Sequence, residues 1–351
     1  MKKSLRFAMA GTGFWARFQL HGWRELPGCE CVALYNRTRS KADVLAREFG
    51  IKVVYDDYEA MLDAEQLDFV DIVTGAEQHA QMARAAADRG LAVVCQKPMA
   101  TDLATATEMV AHARARNTVL LINENWRWQT QIRAFAAVVK AAPLGRVWRA
   151  HVNFSNSFPV FDNQPFLRDL EQFILTDIGT HLLDVVRFLF GEAESAYAQT
   201  HRVNCGIKGE DAASVLLRMH NGMTVDVNLS YASRVPRERF PEAMILVEGE
   251  NASAALDLDF NIHVVTDRGT TTTRHPPPFY AWADARYGVV HASIVDAQRN
   301  LLAALRGEAV AETTGRDNLE TLRLVFACYE SARRGAVVRL ADFPPAGRAS
   351  T

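Results

Sequence analysis

The sequence lacks any long apolar run. None of its apolar stretches approaches the roughly 20 residues that a membrane-spanning helix needs. Residues Met1 to Ser4 lead directly into a short strand-like segment, without the apolar stretch and cleavage site of a secretory leader. We therefore expect no membrane contact and a cytoplasmic location.

The charge is not dominated by one sign. Lys and Arg together number 39 and Asp and Glu 41, which gives a net charge of -2. A protein that binds nucleic acid or an anionic lipid surface usually shows a basic excess. We therefore expect no nucleic-acid partner, and a small polar ligand is favoured.

Cysteines are few and scattered. The five thiols show no C-x-x-C pair and no Cys/His zinc spacing, so we expect mostly buried thiols in a reducing compartment and no metal site. Cys29 and Cys31 would share one face of a strand, where a metal role is the less favoured interpretation.

The chain is long enough, at 351 residues, for two domains. Up to about residue 123, short β-rich runs alternate with helical patterns, which is typical of parallel βαβ units. Helices are predicted at Ser40–Phe49, Glu77–Arg89 and Asp102–Arg116, and the clearest strands at Leu5–Gly11, Cys31–Asn36, Phe69–Gly75, Leu91–Pro98 and Thr118–Glu124.

The pattern changes after residue 124. Longer alternating strands follow, which indicate an antiparallel sheet, and Asn221-Gly222 favours a type I′ turn between two of them. We expect an α/β fold with a Rossmann domain at residues 1–124 and an α+β domain at residues 125–351. The other predicted elements are strands at Ala213–Met219, Met223–Leu229, Met244–Glu248, Ala254–Leu258 and Ile262–Thr266, with helices near Ile132–Ala142, Thr176–Phe190, Ile294–Leu305 and Asp317–Arg334.

A glycine-rich turn follows the first predicted strand. The segment AGTGFWA matches G-x-G-x-x-A in the strand–turn–helix context of a dinucleotide site. Gly11 permits the tight turn, Gly13 lets a pyrophosphate approach the backbone, and Ala16 lets helix and strand pack closely. The helix N-terminus would supply free N–H groups to the phosphates. Thr12, Phe14 and Trp15 complete this predicted cofactor loop.

The second strand ends without the carboxylate that usually binds the ribose 2′-hydroxyl in NAD enzymes. Its last residues are basic or polar instead, and Arg37, Arg39 or Lys41 could pair with the 2′-phosphate of NADP. Asn36 could also bond to a ribose hydroxyl, and the basic residues are equally consistent with a solvated helix start. The cofactor is therefore predicted as NAD or NADP.

Two segments carry the residue types that hydride chemistry needs. Lys97 lies at the carboxyl end of the fifth strand, where open α/β sheets bind ligands. Asp177 and His181 are spaced i, i+4, so we expect the carboxylate to orient the imidazole as an acid or base. The simpler alternatives are a surface lysine, a helix-capping acid and a core histidine.

Five segments resemble the Gfo/Idh/MocA (glucose-fructose oxidoreductase / inositol dehydrogenase) family. They are AGTGFWA, IVTGAEQH, CQKPMA, NENWRW and TDIGTHLLD, and the likeness extends to the closing TTGRDNLETLRLVFACYESARRG. It implies a C-terminal domain with a large, mainly antiparallel sheet that forms homodimers or homotetramers. It also implies that Lys97 contacts substrate and cofactor, that Pro98 follows a cis bond, and that His181, paired with Asp177, is the acid/base.

Further site residues follow from the same resemblance. Thr74 and His79 would line the nicotinamide half, and Asn125, Trp126 and Arg127 would reach both ligands. Gln96 stands where the family has Glu, which removes a negative charge beside Lys97.

The loop from Phe154 to Gln172 mixes aromatic and polar side chains, as sugar sites do, although such a loop could equally be an interface. Phe158 and Asn163 are its predicted substrate contacts. We expect an NAD(P)-dependent dehydrogenase that oxidises an aldose, for example apiose or xylose, to its lactone or a cyclic polyol to a ketone. The alternatives are a redox-neutral elimination or glycoside-cleaving enzyme and a non-catalytic regulator.

Overall fold

The computed structural model describes residues 4–141 and 144–343, and these form two β-sheets with helices packed against them. This architecture confirms the predicted α/β class. The N-terminal elements are β1 (Leu5–Ala10), α1 (Phe14–Arg24), β2 (Cys29–Tyr35), α2 (Arg39–Phe49), β3 (Val53–Tyr55), α3 (Tyr58–Ala64), β4 (Phe69–Ile72), α4 (Ala76–Asp88), β5 (Ala92–Gln96), α5 (Leu103–Ala115) and β6 (Leu120–Asn123).

The first sheet is a six-stranded Rossmann sheet. Its order is β3-β2-β1-β4-β5-β6 and all its pairs are parallel. Strands β4 and β6 are buried along their whole length, because helices cover both faces of a parallel sheet. The strand order reverses between β1 and β4, so the carboxyl ends of these two strands flank a crevice.

The remaining elements form the second half of the molecule. They are α6 (Thr130–Ala141), β7 (Val147–Ser155), α7 (Val160–Asn163), α8 (Thr180–Phe190), β8 (Ala193–His201), β9 (Ala212–Met219), β10 (Thr224–Ser230), β11 (Met244–Gly249), β12 (Ala252–Asp257), β13 (Asn261–Thr266), β14 (Gly269–Arg274), α9 (Gly288–Leu305), α10 (Gly315–Arg334) and β15 (Val338–Arg339). The second sheet has nine strands in the order β14-β13-β12-β11-β7-β10-β9-β8-β15. Only β7 and β10 pair in parallel, so the sheet is mainly antiparallel. Helices α6, α8 and α10 lie against it.

The turn between β9 and β10 differs from its prediction. Only Gly222 has a positive φ, of 87°, whereas a type I′ turn needs positive φ at both central residues. The N–H of Gly222 donates to the carbonyl of Met219, and the N–H of Met219 donates to the carbonyl of Met223. This closes a three-residue loop in which Asn221 accepts a bond from the N–H of Met223 and needs no left-handed backbone.

The C-terminal helices return to the Rossmann half. Helix α9 packs on α1 and α10 packs on α5. The N–H of Ile122 donates to the carbonyl of Thr313, and Thr314 forms a β-bridge with Leu121, so this segment extends the first sheet beyond β6. These contacts hold the carboxyl ends of the Rossmann strands against the second domain.

The predicted helix near Ile132–Ala142 is observed as Thr130–Ala141, and Ala142 lies outside the described residues. None of the helices in the described ranges is both long and apolar enough to cross a membrane. The five cysteines are free thiols, of which Cys95 and Cys328 are buried and Cys205 is exposed. In residues 4–141 and 144–343 no group of three or more His, Cys, Asp or Glu side chains is placed to hold a metal ion.

Candidate active site

A cavity of about 920 Å³ lies between the two halves of the molecule. One wall is formed by the loops at the carboxyl ends of β1, β2, β4 and β5. The other is formed by the segment after β7, the start of α8 and the end of β10. This volume lies within the range of small-molecule and cofactor sites, and its place is the crevice where open α/β sheets bind ligands.

The glycine-rich turn at one end of the cavity fits a dinucleotide. Gly11 has a φ of 105°, and a Cβ there would lie 2.4 Å from the carbonyl oxygen of Val73, so this position requires glycine. A Cβ on Gly13 would meet no atom within 4 Å, because it would point into the open cavity. No side chain caps the first turn of α1, and the buried hydroxyl of Thr12 has no hydrogen-bond partner in the described chain. These free donors suit a pyrophosphate.

Phe14 and Trp15 line the cavity beside this turn, whereas Ala16 does not. Ala16 is buried between α1 and the sheet, in the close packing that its motif position predicts. The indole N–H of Trp15 donates to the side-chain oxygen of Gln164, 3.3 Å away, and so connects the turn to the second domain.

The far end of the cavity is basic. Asn36, Arg37 and Lys41 all line it, as predicted for residues that contact the adenosine ribose. Arg37 and Lys41 are exposed and form no ion pair within the described chain, whereas Arg39 pairs with Asp43 at 4.0 Å and does not line the cavity. The geometry leaves room for either a ribose hydroxyl or a 2′-phosphate.

Of the two residues predicted to line the nicotinamide half, one lines the cavity and the other does not. Thr74 lines the cavity, but His79 is buried behind it. Its two ring nitrogens lie 3.1 Å from the carbonyl oxygens of Thr74 and Pro98, and burial lowers the pKa of His79. His79 therefore lies behind the cavity wall in this structure, because its ring is occupied in joining the loops that follow β4 and β5.

Lys97 and Asp177 meet across the cavity. The Nζ atom of Lys97 lies 2.9 Å from Oδ1 and 3.0 Å from the carbonyl oxygen of Asp177, and the two residues come from different halves of the molecule. Oδ2 of Asp177 accepts a bond from the hydroxyl of Tyr231 at 3.4 Å. Gln96 uses its side-chain oxygen to accept the backbone N–H of Lys97, and the carboxylate beside the Lys97 ammonium is that of Asp177. The Lys97–Pro98 bond is cis, as the resemblance implies.

His181 has a different carboxylate partner from the one predicted. Its Nδ1 atom forms a hydrogen bond with Oε1 of Glu124, whereas Asp177 is held by Lys97. A π-helical turn at Leu175–Gly179 precedes α8, and its wider spacing departs from the i, i+4 register on which the expected pairing rested. The imidazole stacks on the indole of Trp126, with ring centroids 4.9 Å apart. Burial and the charge of Lys97 hold the pKa of His181 well below its usual value.

Arg127 and Phe158 lie outside the cavity, contrary to prediction. Arg127 is buried and donates to both oxygens of Asp184 and, at 2.9 Å, to Oδ2 of Asp317. Phe158 is buried and stacks on Phe240 with ring centroids 3.9 Å apart, so Phe240 presents the aromatic surface instead. Both residues are held by packing partners from distant parts of the chain that no local motif reveals.

The remaining predicted contacts do line the cavity. Asn125 donates to the hydroxyl of Ser293 at 2.8 Å, and Asn163 donates to the hydroxyl of Tyr287 at 3.2 Å. Sequence reasoning missed Glu124 and Tyr231. Glu124 belongs to the NENWRW segment, so an acid within a recognised motif was the available signal. Tyr231 follows β10 and belongs to no motif that could have indicated it.

The family follows from comparison with known proteins. Residues 5–124 match the family described as "Oxidoreductase family, NAD-binding Rossmann fold", and residues 132–255 match the "GFO/IDH/MocA C-terminal domain". The D-apiose dehydrogenase of Paraburkholderia graminis is 42% identical over 338 residues, which cover 96% of this chain and 90% of that protein. The D-apiose dehydrogenase of Rhizobium rhizogenes is 35% identical over 334 residues, which cover 95% of this chain and 97% of that protein.

A solved structure is similar over almost the whole fold. It is an oxidoreductase from Agrobacterium radiobacter in complex with NAD+, L-tartaric acid and magnesium, and it is 34% identical to this chain. The TM-score is 0.94, and the match covers 97% of this chain and 99% of that one. With its glycine-rich turn, its two sheets and its matched domains, the chain belongs to the GFO/IDH/MocA family of NAD-binding oxidoreductases.

Proposed function

We propose that this chain is an NAD(P)-dependent dehydrogenase that oxidises an aldose at C1 to its lactone, with D-apiose as the first substrate to test. Residues 1–124 bind the cofactor and residues 125–351 bind the sugar. The observation that carries the proposal is the placement of Lys97, Asp177 and His181 in the same cavity as the glycine-rich turn. The similarity to two D-apiose dehydrogenases supports the choice of sugar.

The side chains supply what alcohol oxidation needs beyond the cofactor. A nicotinamide cofactor held at the glycine-rich turn would supply the hydride acceptor for C1. The ammonium of Lys97, anchored by Asp177, orients the C1 oxygen and stabilises the negative charge that develops on it. His181 is buried and uncharged, and its Nε2 atom has no hydrogen-bond partner in the described chain, so it takes the hydroxyl proton.

The walls near these three residues suit a small sugar. Asn163, Thr176 and Tyr231 present polar groups to the cavity, and Phe166 and Phe240 present aromatic surface. A sugar has hydroxyl edges and apolar C–H faces, so it can use both kinds of wall.

A substrate and cofactor screen tests the proposal. Purified protein is mixed with NAD or NADP and, separately, with D-apiose, D-xylose and myo-inositol, and the absorbance of the reduced nicotinamide is followed. We expect net accumulation with an aldose. Because loss of a positioned acid or base costs roughly 10²- to 10⁴-fold, Lys97→Met and His181→Asn should lower kcat at least about tenfold.

Exposed residues of the same types provide matched controls. Lys52 and His201 are exposed and do not line the cavity, so Lys52→Met and His201→Asn should retain wild-type turnover. Sugar consumption without reduced nicotinamide would instead support a redox-neutral reaction. Full turnover by either cavity variant would remove that residue from the mechanism.

We also propose that the chain forms a homodimer or homotetramer through the open face of the second sheet. Leu216, Leu246 and Val265 point outward on this face and are 49%, 39% and 45% exposed, among polar neighbours such as His151 and Asp226. Subunit interfaces combine exposed apolar side chains of this kind with polar ones. Sedimentation velocity should show a dimer or tetramer, and Leu216→Lys with Leu246→Lys should shift it toward monomer. The control Val310→Lys, on a separate loop, should not, and a monomeric wild type would contradict the proposal.

A further inference from the structure

Glu124 is a buried carboxylate with an incomplete set of partners. It follows β6 and is fully buried. Its Oε1 atom bonds to Nδ1 of His181 and lies 3.4 Å from the N–H of Trp126, whereas Oε2 has no hydrogen-bond partner among the described residues. Burial raises the pKa of Glu124 to about 7, against the opposing charges of Lys97 and Arg127. Because an uncompensated buried carboxylate is costly, this contact calls for a functional explanation.

The contact determines which imidazole nitrogen carries the proton. Above about pH 7 Glu124 is ionised and can only accept, so a neutral His181 beside it then holds its proton on Nδ1. Nε2 is then an unprotonated lone pair in a residue that lines the cavity. Stacking on Trp126 restricts rotation of the ring, so the tautomer and the direction of Nε2 are fixed together.

The contact also offsets charge during turnover. An imidazolium in this buried position would be unfavourable, because burial and Lys97 both oppose it. With Glu124 ionised, the pair carries one negative charge before it takes a proton and no net charge afterwards. Accepting the proton therefore neutralises a buried pair instead of creating an isolated cation.

We propose that Glu124 is a positioning residue that acts through His181, holding Nε2 unprotonated and stabilising the imidazole as it accepts the substrate proton. The inference rests on the proposed dehydrogenase function. In the step, the substrate O–H bond breaks as the Nε2–H bond forms, the C1–H bond breaks as hydride passes to the nicotinamide, and the C1–O bond becomes a carbonyl. The Nδ1 proton stays within the hydrogen bond to Glu124.

Other charged groups also face this pair. Lys97 enters from the end of β5, Asp177 from the π-helical turn and Asp184 from α8, and all three act on His181. Lys97, Arg127 and Asp317 act on Glu124. These groups are unchanged when Glu124 alone is replaced, so a shift in pH dependence reports the Glu124 charge.

The first test is the pH profile of Glu124→Gln, which keeps the shape of the side chain and removes its charge. We expect kcat to fall at least about tenfold, the scale expected when acid/base transfer is impaired, while the KM for sugar changes less than about threefold. Loss of the charge lowers the proton affinity of His181, so the acidic limb of the kcat profile should move to lower pH. Glu124→Asp should recover part of both effects.

Glu250→Gln is the matched control, because Glu250 is a half-exposed acid paired with Arg146 away from the cavity. Its profile should match that of the wild type. Thermal denaturation of each variant measures folding separately. If Glu124→Gln lowers kcat in proportion to the folded fraction and leaves the acidic limb in place, its role is structural and the inference fails.

A second readout does not require turnover. Nitrogen chemical shifts of ring-labelled histidine distinguish the two neutral tautomers, and His181→Asn assigns the signal. Above about pH 7, where Glu124 is ionised, we expect the Nδ1-protonated form in the wild type without substrate, and a change of tautomer or hydrogen-bond shift in Glu124→Gln. An Nε2-protonated wild-type His181 would overturn the inference, whereas absence of dehydrogenase activity in the wild type would overturn the proposed function instead.

Discussion

The ionisable residues in and around the cavity fall into two groups, those that line it and those that are buried behind it, and the sequence motifs do not distinguish the two. Lys97 and His181 face the cavity, whereas Arg127 and His79, from equally suggestive segments, are enclosed by partners behind it. The guanidinium of Arg127 is held by ion pairs with Asp184 and Asp317, so it is not directed at a ligand in the cavity. Residue type and motif position therefore indicate which segments lie near a site. Whether a given side chain can contact the ligand depends on its buried hydrogen-bond and ion-pair partners.

Substitution of the two glycines of the cofactor turn should affect different quantities, NAD binding at Gly13 and stability at Gly11. Gly13→Val should leave stability near that of the wild type, because its Cβ meets no protein atom, but should weaken NAD binding at least about tenfold, or 1.4 kcal/mol. Gly11→Ala should lower the thermal midpoint, because its backbone is left-handed and its Cβ would collide with Val73. Calorimetric titration with NAD and thermal denaturation measure the two effects.

Gly288→Ala is the control for this pair, since Gly288 lies at the start of α9 with open space around its Cβ and, unlike its neighbour Tyr287, does not line the cavity. It should change neither quantity. Wild-type NAD affinity in Gly13→Val would show that the pyrophosphate does not lie against this turn.

The sequence could predict the residues of the site that belong to contiguous motifs. Gly11, Gly13, Lys97 and His181 were found in this way, because each stands at a fixed place in a strand–turn–helix pattern or a recognised segment. Glu124 was missed because its partner lies 57 positions further along the chain. Such pairings depend on how two domains dock, which no local period encodes.

Among elements, the regular ones were predictable and the irregular ones were not. The alternation of apolar strands with helical patterns gave the parallel sheet, and longer alternating strands gave the second one. The sequence predicts ordinary helix from Thr176, because Leu-Thr-Asp-Ile-Gly has no composition that marks the π-helical turn observed at Leu175–Gly179. The i, i+4 spacing of an ordinary helix therefore predicts a pair between Asp177 and His181, whereas the structure pairs Asp177 with Lys97.

The segment between β7 and α8 shows the same limit. It was predicted as a loop that contacts substrate, and it contains the short helix α7 and a 3-10 turn at Pro165–Asp169. Phe158 turns inward to stack on Phe240, whereas Asn163 faces the cavity. Aromatic residues serve cores and ligands equally well, so composition alone could not assign them.

At the scale of the whole molecule, the site exists because two domains are held in one arrangement. Lys97 comes from the Rossmann half, Asp177 and His181 come from the other, and the cavity extends from them to the glycine-rich turn. The contacts of α9 with α1, and the β-bridge between Thr314 and Leu121, fix this arrangement. We therefore expect hydride to leave C1 of an aldose inside this shared cavity.

Isotope transfer tests that claim most directly. The protein is incubated with NAD and an aldose carrying deuterium at C1, D-apiose first, and the reduced nicotinamide is examined by mass spectrometry. We expect one deuterium in each reduced nicotinamide formed by the wild type, and a much smaller amount of reduced nicotinamide with His181→Asn. Reduced nicotinamide without deuterium, or sugar turnover with no reduced nicotinamide at all, would contradict the claim.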